Sequence, residues 1–562
     1  MLLRRHGWLL AVFLAALAVH LPYARPGGPC ARNGDPWPLI HDEGTVLYDS
    51  WRIASGEAMY RDFFEFQGPV FYHAVAALYL ASGPSPAAAR AFILLVWALS
   101  AALLALVVAR CAGRVAGAAA AAIHACLLVP FYAAAYPHWV AEAFTLGALV
   151  VLTAPHRGPR HDIAAGALAA AAAATIQSVG LPVLAALAGT AALPGLAARA
   201  WRRALAGPAR VLGGAAAVLA AVALFCAARG ALGALVYDVL VWPFIYYGKG
   251  QPKEAFAASA GWIAAHRKLP AAAGLAGLAG LYVTMALPWT TIAAAAAVAG
   301  RTLWALRRRA GDAAGGSDGG VHASGHPSGG GSGSGGSDGG VRASGHRSGG
   351  GSGGGGGGGS SSTVEAGPIA VATAAAAAVS PVLAGLTRQD LTHAAFVLGL
   401  GLAALGAVAT PAWRGSRAAT AALLGAVALV AAVAYGAKTL RTWAPSTRLP
   451  GWRAMALEFA PAKWLDTAVP PGAPVVDGLD HAGWVYLFVR PSAVAHTLIP
   501  RVKPEYFSDA QWQRLADEIV ARRPAALTLA PEQWRLFTAR RPEIAALYRS
   551  VGGGRWLLAA GP

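Results

Sequence analysis

The sequence predicts an all-α polytopic membrane protein of about eleven transmembrane helices, with a small C-terminal α/β extracytoplasmic domain. Three observations predict it. Apolar runs of roughly span length recur along the chain, and the mean hydropathy is +0.49. Hydrophobic residues make up 56% and charged residues 13% of the 562 positions, a balance that belongs to membrane proteins. From about residue 440 the texture changes to short apolar strands between helices with charged faces.

The elements follow in order. Arg4 and Arg5 precede the first apolar run, 7–23. Such a start fits a cleaved signal or a retained anchor, and the spans that follow favour the anchor. Further spans are expected at 88–109, 114–132, 139–154, 162–178, 179–196, 209–228, 281–305, 366–386, 393–410 and 417–437. The apolar stretch 69–81 is too short to cross and is expected to pack at the interface as a helix. Charge supports that choice. With the N-terminus inside, Arg110 and Arg114, Arg157 and Arg160, Arg202 and Arg203, Arg307 to Arg309, and Arg414 and Arg417 all fall on the inner side, as the positive-inside rule asks. The outer regions are then the loop 24–68, the turn at Tyr136-Pro137-His138, the loop 229–280, the turn at Thr387-Arg388-Gln389-Asp390, and the tail.

The chain therefore divides into a transmembrane module 1–310, a linker 311–363, further transmembrane helices 364–439 and the tail 440–562. The linker is Gly/Ser-rich, with an internal near-repeat at 315–321 and 335–341, and cannot bury a core. Its His322, His326 and His346 are spaced too loosely to point to a metal. The net charge of +19 comes mostly from arginines between apolar runs, which reads as topology marking and not as a nucleic-acid surface. The four cysteines form no Cys-x-x-Cys pair, so neither a metal knuckle nor a disulfide framework is indicated. In the tail, 475–477 and 526–529 read as strands, and 510–522 and 531–537 as helices.

The loop 24–68 concentrates Asp42, Glu43, Asp62 and Glu65. Residues 44–55 read as an amphipathic helix whose Val46, Leu47, Trp51 and Ile53 can lie on the membrane. Asp42 can cap that helix. It can equally point into an outward cavity at headgroup level and act as general base on a hydroxyl. A carboxylate cluster where the chain leaves the bilayer is a functional candidate on electrostatic grounds alone.

The order of motifs is the first helix, the Asp42-Glu43 pair, an amphipathic helix ending at Gly56, Tyr60-Arg61-Asp62, Glu65, and Gly68-Pro69-Val70-Phe71-Tyr72. This order resembles the GT-C superfamily of polyprenyl-phosphate-sugar-dependent glycosyltransferases. It is most similar to the bacterial, glycosyltransferase family 39-like members related to protein O-mannosyltransferases and lipid A aminoarabinose transferases. The resemblance covers the first 150 or so residues best and is weaker over 385–395.

The resemblance implies a bacterial inner (plasma) membrane protein with a cytoplasmic N-terminus and an active site on the outer face. It implies transfer of a sugar, with inversion, from a polyprenyl-phosphate-linked donor to a hydroxyl of a glycan, lipid or protein. Catalysis would fall on Asp42, with Glu43 completing the pair. Arg61, Glu65, Arg388 and His393 would bind donor phosphate and sugar, with Lys249 a further cation. Gln67 stands where a basic residue is expected, and Arg61 can substitute for it. Ile176-Gln177 stands where relatives often carry Lys-Gln. Arg388, Asp390 and His393 resemble an Arg-x-Asp-x-x-His element of a late outer turn; the alternative is a polar cluster capping two spans. His138 and Glu142, four apart and so on one helix face, are second outer-turn candidates. Alternatively, His138 sits at the interface and Glu142 pairs with a core arginine. A divalent cation stays open, because Asp42, Glu65 and His138 can supply hard ligands. The aromatics Tyr237, Trp242, Tyr246, Tyr247 and Trp262 read as an interface belt or as a lid over the donor.

Two rival classes are less well supported. A lipid or sugar transporter would show inverted repeats and matching broken helices, with its acidic groups at mid-membrane. An O-antigen-ligase-like enzyme would place its charge in a large late outer loop.

Overall fold

The computed structural model describes residues 2–24, 41–131, 133–197, 200–247, 451–457, 460–479, 482–497 and 506–559, with short pieces between 401 and 435. Arg388, Asp390, His393, Lys249, Trp262, the linker 311–363 and the expected spans 281–305 and 366–386 lie outside the described residues.

The apolar runs form helices α1 (Leu2–His20), α2 (His41–Ala54), α3 (Val70–Ser82), α4 (Pro86–Ala112), α5 (Arg114–Ile123), α6 (Pro137–Leu152), α7 (Pro159–Ala173), α8 (Gln177–Ala197) and α9 (Trp201–Ala228). Helix α5 runs on into a π-helical turn, His124–Leu128. Three segments are long and apolar enough to cross a membrane: Gly7–Ala24, α4 and α9. The expected spans at 114–132, 139–154, 162–178 and 179–196 appear as the shorter helices α5 to α8. Helix α3 has 13 residues, about 20 Å at 1.5 Å per residue, and is too short to cross.

Local chemistry sets the boundaries. Ser85 accepts the Ala88 N–H at the start of α4, and Pro86 takes the first helical position. Gly113, at φ 96°, ends α4 and lets the chain turn back into α5. The abundance of small residues has a packing reason. Helices α7 and α9 touch backbone to backbone, because a Cβ on Gly166 would lie 1.8 Å from the Val211 carbonyl oxygen and one on Gly214 would lie 2.0 Å from that of Ile163. Asp162 joins the same two helices through Arg157 (2.7 Å) and Arg210 (2.8 Å).

After α9 come α10 (Leu232–Leu235) and two π-helical turns, Val236–Val241 and Pro243–Tyr247. The C-terminal part contains α11 (Trp452–Ala456), α12 (Ala460–Ala468), β1 (Val475–Asp477), α13 (Ala482–Phe488), α14 (Asp509–Arg522), β2 (Ala526–Thr528), α15 (Pro531–Arg540), α16 (Glu543–Leu547), β3 (Tyr548–Gly552) and β4 (Arg555–Leu558). The sheet order is β1-β2-β4-β3. Strand β1 runs parallel to β2 with Val475 opposite Ala526, and β4 is antiparallel to both β2 and β3.

This α/β part sits on the acidic loop. Helix α13 crosses α2 at two glycines. A Cβ on Gly44 would fall 2.5 Å from the Trp484 ring, and one on Gly483 would fall 2.2 Å from the Gly44 carbonyl carbon. Val46 and Leu47 are consequently buried in a core shared with Trp484, Val485 and Tyr486. The expectation that they lie on the membrane is corrected: the α/β part, over 400 residues later in the chain, covers them.

Candidate functional site

The first turn of α2 is fixed by a buried ion pair. Arg90, on α4, forks onto Glu43: Nε to Oε1 at 2.9 Å and Nη2 to Oε2 at 2.6 Å. Glu43 Oε1 also accepts the Ala135 N–H at 2.9 Å, which ties α2 to the turn before α6. Arg90 Nη1 donates to the Tyr23 carbonyl at 3.3 Å, and the guanidinium lies 4.6 Å from the Trp452 ring centroid. Trp452 stacks on Trp484, the residue that covers Gly44. Four separate parts of the chain thus converge on Glu43. One residue earlier, Asp42 is rotated about 100° around the helix from Glu43 and is half-buried. Glu43 is spent on Arg90 and Ala135.

The segment after α2 is held by its own network. Arg52 pairs with Glu57 (2.6 Å) and donates to the Ala495 carbonyl (3.1 Å). Tyr60 takes a left-handed φ of 71° and is held there by donating its hydroxyl to the Gln67 carbonyl at 2.7 Å. Gln67 is buried; its Oε1 accepts from the Tyr72 hydroxyl and its Nε2 donates to the Tyr136 hydroxyl. A neutral amide fits between two neutral phenols, which explains why no lysine stands here. Gln177, at the start of α8, donates to the carbonyls of Phe66 (2.8 Å) and Val239 (3.1 Å).

Arg61 is exposed and committed. It forks onto Asp62 with two bonds of 2.8 Å and donates Nη1 to the Arg229 carbonyl at 2.9 Å. The Arg61 hydrogen bonds pull the Asp62 carboxyl down to about 2. Arg229, just past α9, donates Nη2 to the carbonyls of Gly56 and Glu57, each at 3.3 Å. Among the described residues around this loop, Arg229 is the arginine with no carboxylate partner. Sequence reasoning missed it. Its signal was a cation at the end of a span that the expected topology places outside, where topology marking predicts none.

Glu65 is buried and accepts the N–H groups of Phe66 (2.8 Å) and Gln67 (3.0 Å). Burial pushes its carboxyl up. Asp238 takes the Glu65 N–H; burial, with Glu65 nearby, raises the Asp238 carboxyl to about 8. Asp49 accepts from Thr497; burial and then Glu65 raise it well above the ordinary range. Because the folded Asp238 holds its proton while the unfolded one ionises, stability falls as pH rises from about 4 to about 8. Asp238→Asn keeps an acceptor for the Glu65 N–H and is expected to flatten the melting temperature against pH across that window. A wild-type slope retained in the variant would exclude Asp238 as its source.

His138 is buried and stacks on Tyr136, with ring centroids 5.1 Å apart. Glu142 points into the bundle and pairs with His124 at 3.1 Å, so its partner is a histidine and not a core arginine. Trp242 is buried against Phe64 (5.0 Å) and Phe66 (5.1 Å) and donates to Gln511, so it belongs neither to an interface belt nor to an open lid. Among the described residues no three His, Cys, Asp or Glu side chains come together in a geometry that holds a metal. The set Asp42, Glu65 and His138 is not such a group in this structure, and Glu65 already accepts two backbone N–H groups.

No family model matches the chain, and no curated protein matches it in sequence. Solved structures do match it in shape. ArnT from Cupriavidus metallidurans bound to undecaprenyl phosphate aligns with a TM-score of 0.50 at 14% identity, covering 99% of each chain. The archaeal oligosaccharyltransferase AglB from Archaeoglobus fulgidus, in complex with an inhibitory peptide and a dolichol-phosphate, aligns at 0.45 and 11%, covering 100% of this chain and 75% of its own. The A. fulgidus oligosaccharyltransferase complex with Zn and sulfate aligns at 0.42 and 12%, covering 87% and 62%. The chain has a GT-C-like fold.

Proposed function

We propose that this GT-C-like chain is a membrane glycosyltransferase. It moves a sugar from a polyprenyl-phosphate-linked donor to an acceptor hydroxyl at the outer face of a bacterial plasma membrane, with inversion at the anomeric carbon. The observation that carries the reading is the first turn of α2. A buried Glu43–Arg90 pair locks the turn in place and leaves Asp42 beside it, half-buried. A preorganised carboxylate is what a general base requires.

In the proposed step Asp42 takes the proton of the acceptor hydroxyl as its oxygen bonds to the anomeric carbon. The bond from that carbon to the phosphate oxygen breaks on the opposite face. The donor phosphodiester thereby becomes a monoester and gains a negative charge. A cation whose charge is not already matched can stabilise that change. Arg52, Arg61 and Arg90 are matched by Glu57, Asp62 and Glu43. Arg229 is held at the far end of α2, about 20 Å along the helix from Asp42, so the candidates for this role are Arg388, His393 and Lys249, read from the sequence. No step is assigned to a metal.

Hydrogen bonds to charged groups contribute about 1.5–3 kcal/mol, so Arg388→Ala is expected to raise KM for the donor lipid roughly tenfold or more. Arg61→Ala is expected to have a smaller effect, because that guanidinium is already neutralised by Asp62. An unchanged KM in Arg388→Ala would remove Arg388 from the phosphate site. The reading itself is tested by full-length protein in vesicles with labelled polyprenyl-phosphate sugars. Transfer to a hydroxyl with inverted anomeric configuration supports it; retention, or transport of the intact donor without transfer, contradicts it.

A further inference from the structure

Beneath the candidate site lies a second group of polar side chains that the transfer step does not use. His124 begins the π-helical turn after α5, and its Nε2 meets Glu142 Oε2 at 3.1 Å; both side chains are fully buried. Their other atoms, His124 Nδ1 and Glu142 Oε1, are buried without a partner among the described residues. His20, the last residue of α1, donates Nε2–H to the Ala125 carbonyl at 3.2 Å, which leaves Nδ1 as a buried acceptor without a partner. From α4, Trp97 Nε1 and Ser100 Oγ are buried without partners as well. The rings are contiguous. Trp97 lies 5.3 Å from His20 and 5.9 Å from Trp139, and Trp139 lies 6.2 Å from His124.

Unsatisfied buried polar atoms are uncommon, and five gathered from four neighbouring helical segments point to a shared ligand. The set is complementary to water. Trp97 N–H and Ser100 O–H donate; His20 Nδ1 and Glu142 Oε1 accept. A buried histidine–glutamate pair within a helical bundle is also a place to hold a proton. The π-helical turn at His124 adds to the case, since such turns recur at functional sites.

We propose that His20, Trp97, Ser100, His124 and Glu142 form a hydrated proton-binding site inside the bundle, holding ordered water and one exchangeable proton on the His124–Glu142 pair. The proton comes from the outer aqueous phase and returns to it; only an N–H or O–H bond forms or breaks. Of the titratable groups on these elements, His20 from α1 interacts with His124, Cys126 lies two residues on in the same π-helical turn, and His138 lies one turn before Glu142 on α6. Arg90, two turns before Trp97 on α4, is already matched by Glu43.

The site is tested on full-length wild-type protein in nanodiscs by X-ray radiolytic labelling in 18O-water. Bound water generates hydroxyl radicals in place, so Trp97, which is 1% exposed, is expected to label at a rate comparable to Trp201, which is 72% exposed. Trp97 labelling no faster than the equally buried Trp484 would overturn the hydrated site. Infrared difference spectra in H2O and D2O should show a carboxylic-acid band that shifts on exchange and is lost in Glu142→Gln. Absence of the band, or its persistence in that variant, would overturn the proton assignment. The labelling readout needs no variant, and neither readout needs sugar transfer, so failure here is separable from failure of the glycosyltransferase reading.

Discussion

Asp42→Asn is expected to lower sugar transfer by roughly 10²- to 10⁴-fold, the usual contribution of a positioned general base. The variant should fold and insert normally. Asparagine has nearly the shape of aspartate and is equally favoured at a helix start. The anchor of this turn is Glu43, which the substitution leaves untouched. Transfer from labelled polyprenyl-phosphate sugars in vesicles, with melting temperature as the control, reads both halves of the prediction. Normal transfer by the variant would take Asp42 out of the mechanism. Lost transfer with a collapsed melting temperature would assign it a structural role.

The second large effect belongs to Glu43→Gln. It leaves the Arg90 guanidinium buried with no compensating charge, and breaking a buried pair from one side costs about 3–5 kcal/mol. The melting temperature in detergent should fall clearly. Replacing both partners, as in the double variant Glu43→Gln with Arg90→Met, should recover much of the loss, since apolar replacements of a buried pair are often neutral. A single variant as stable as wild type would show that the pair does not anchor α2. Transfer should fall with the single variant as well, because Asp42 loses its fixed neighbour. That loss should come chiefly through kcat, whereas Arg388→Ala acts through KM.

Much of the helical part was legible in the sequence because its cause is local. The apolar run 88–109 becomes α4, whose ends are set by Ser85 and Gly113. The short run 69–81 becomes α3, and strands at 475–477 and 526–528 appear where the apolar pairs Val475-Val476 and Ala526-Leu527 stand between helices. What was not legible depends on partners distant in sequence. Residues 44–55 carry an amphipathic pattern, but the pattern does not say whether the apolar face meets lipid or protein. It meets α13, brought there by the Gly44–Gly483 crossing. The partner of Glu43 had a signal that went unread: Arg90 is a charge inside an apolar helix, and such a charge requires a counter-charge. Glu142 gave the same cue and was expected to pair with a core arginine, but its partner is His124, on a different helical segment. The β3–β4 hairpin was missed although Gly552, Gly553 and Gly554 mark its turn.

The most direct test of the central claim is a structure of the full-length protein in a lipid nanodisc with polyprenyl phosphate bound. The account predicts the phosphate beside the first turn of α2, in a cleft that Asp42 faces. A phosphate bound at the opposite membrane face, or Asp42 turned away from the lipid toward bulk solvent, would contradict it.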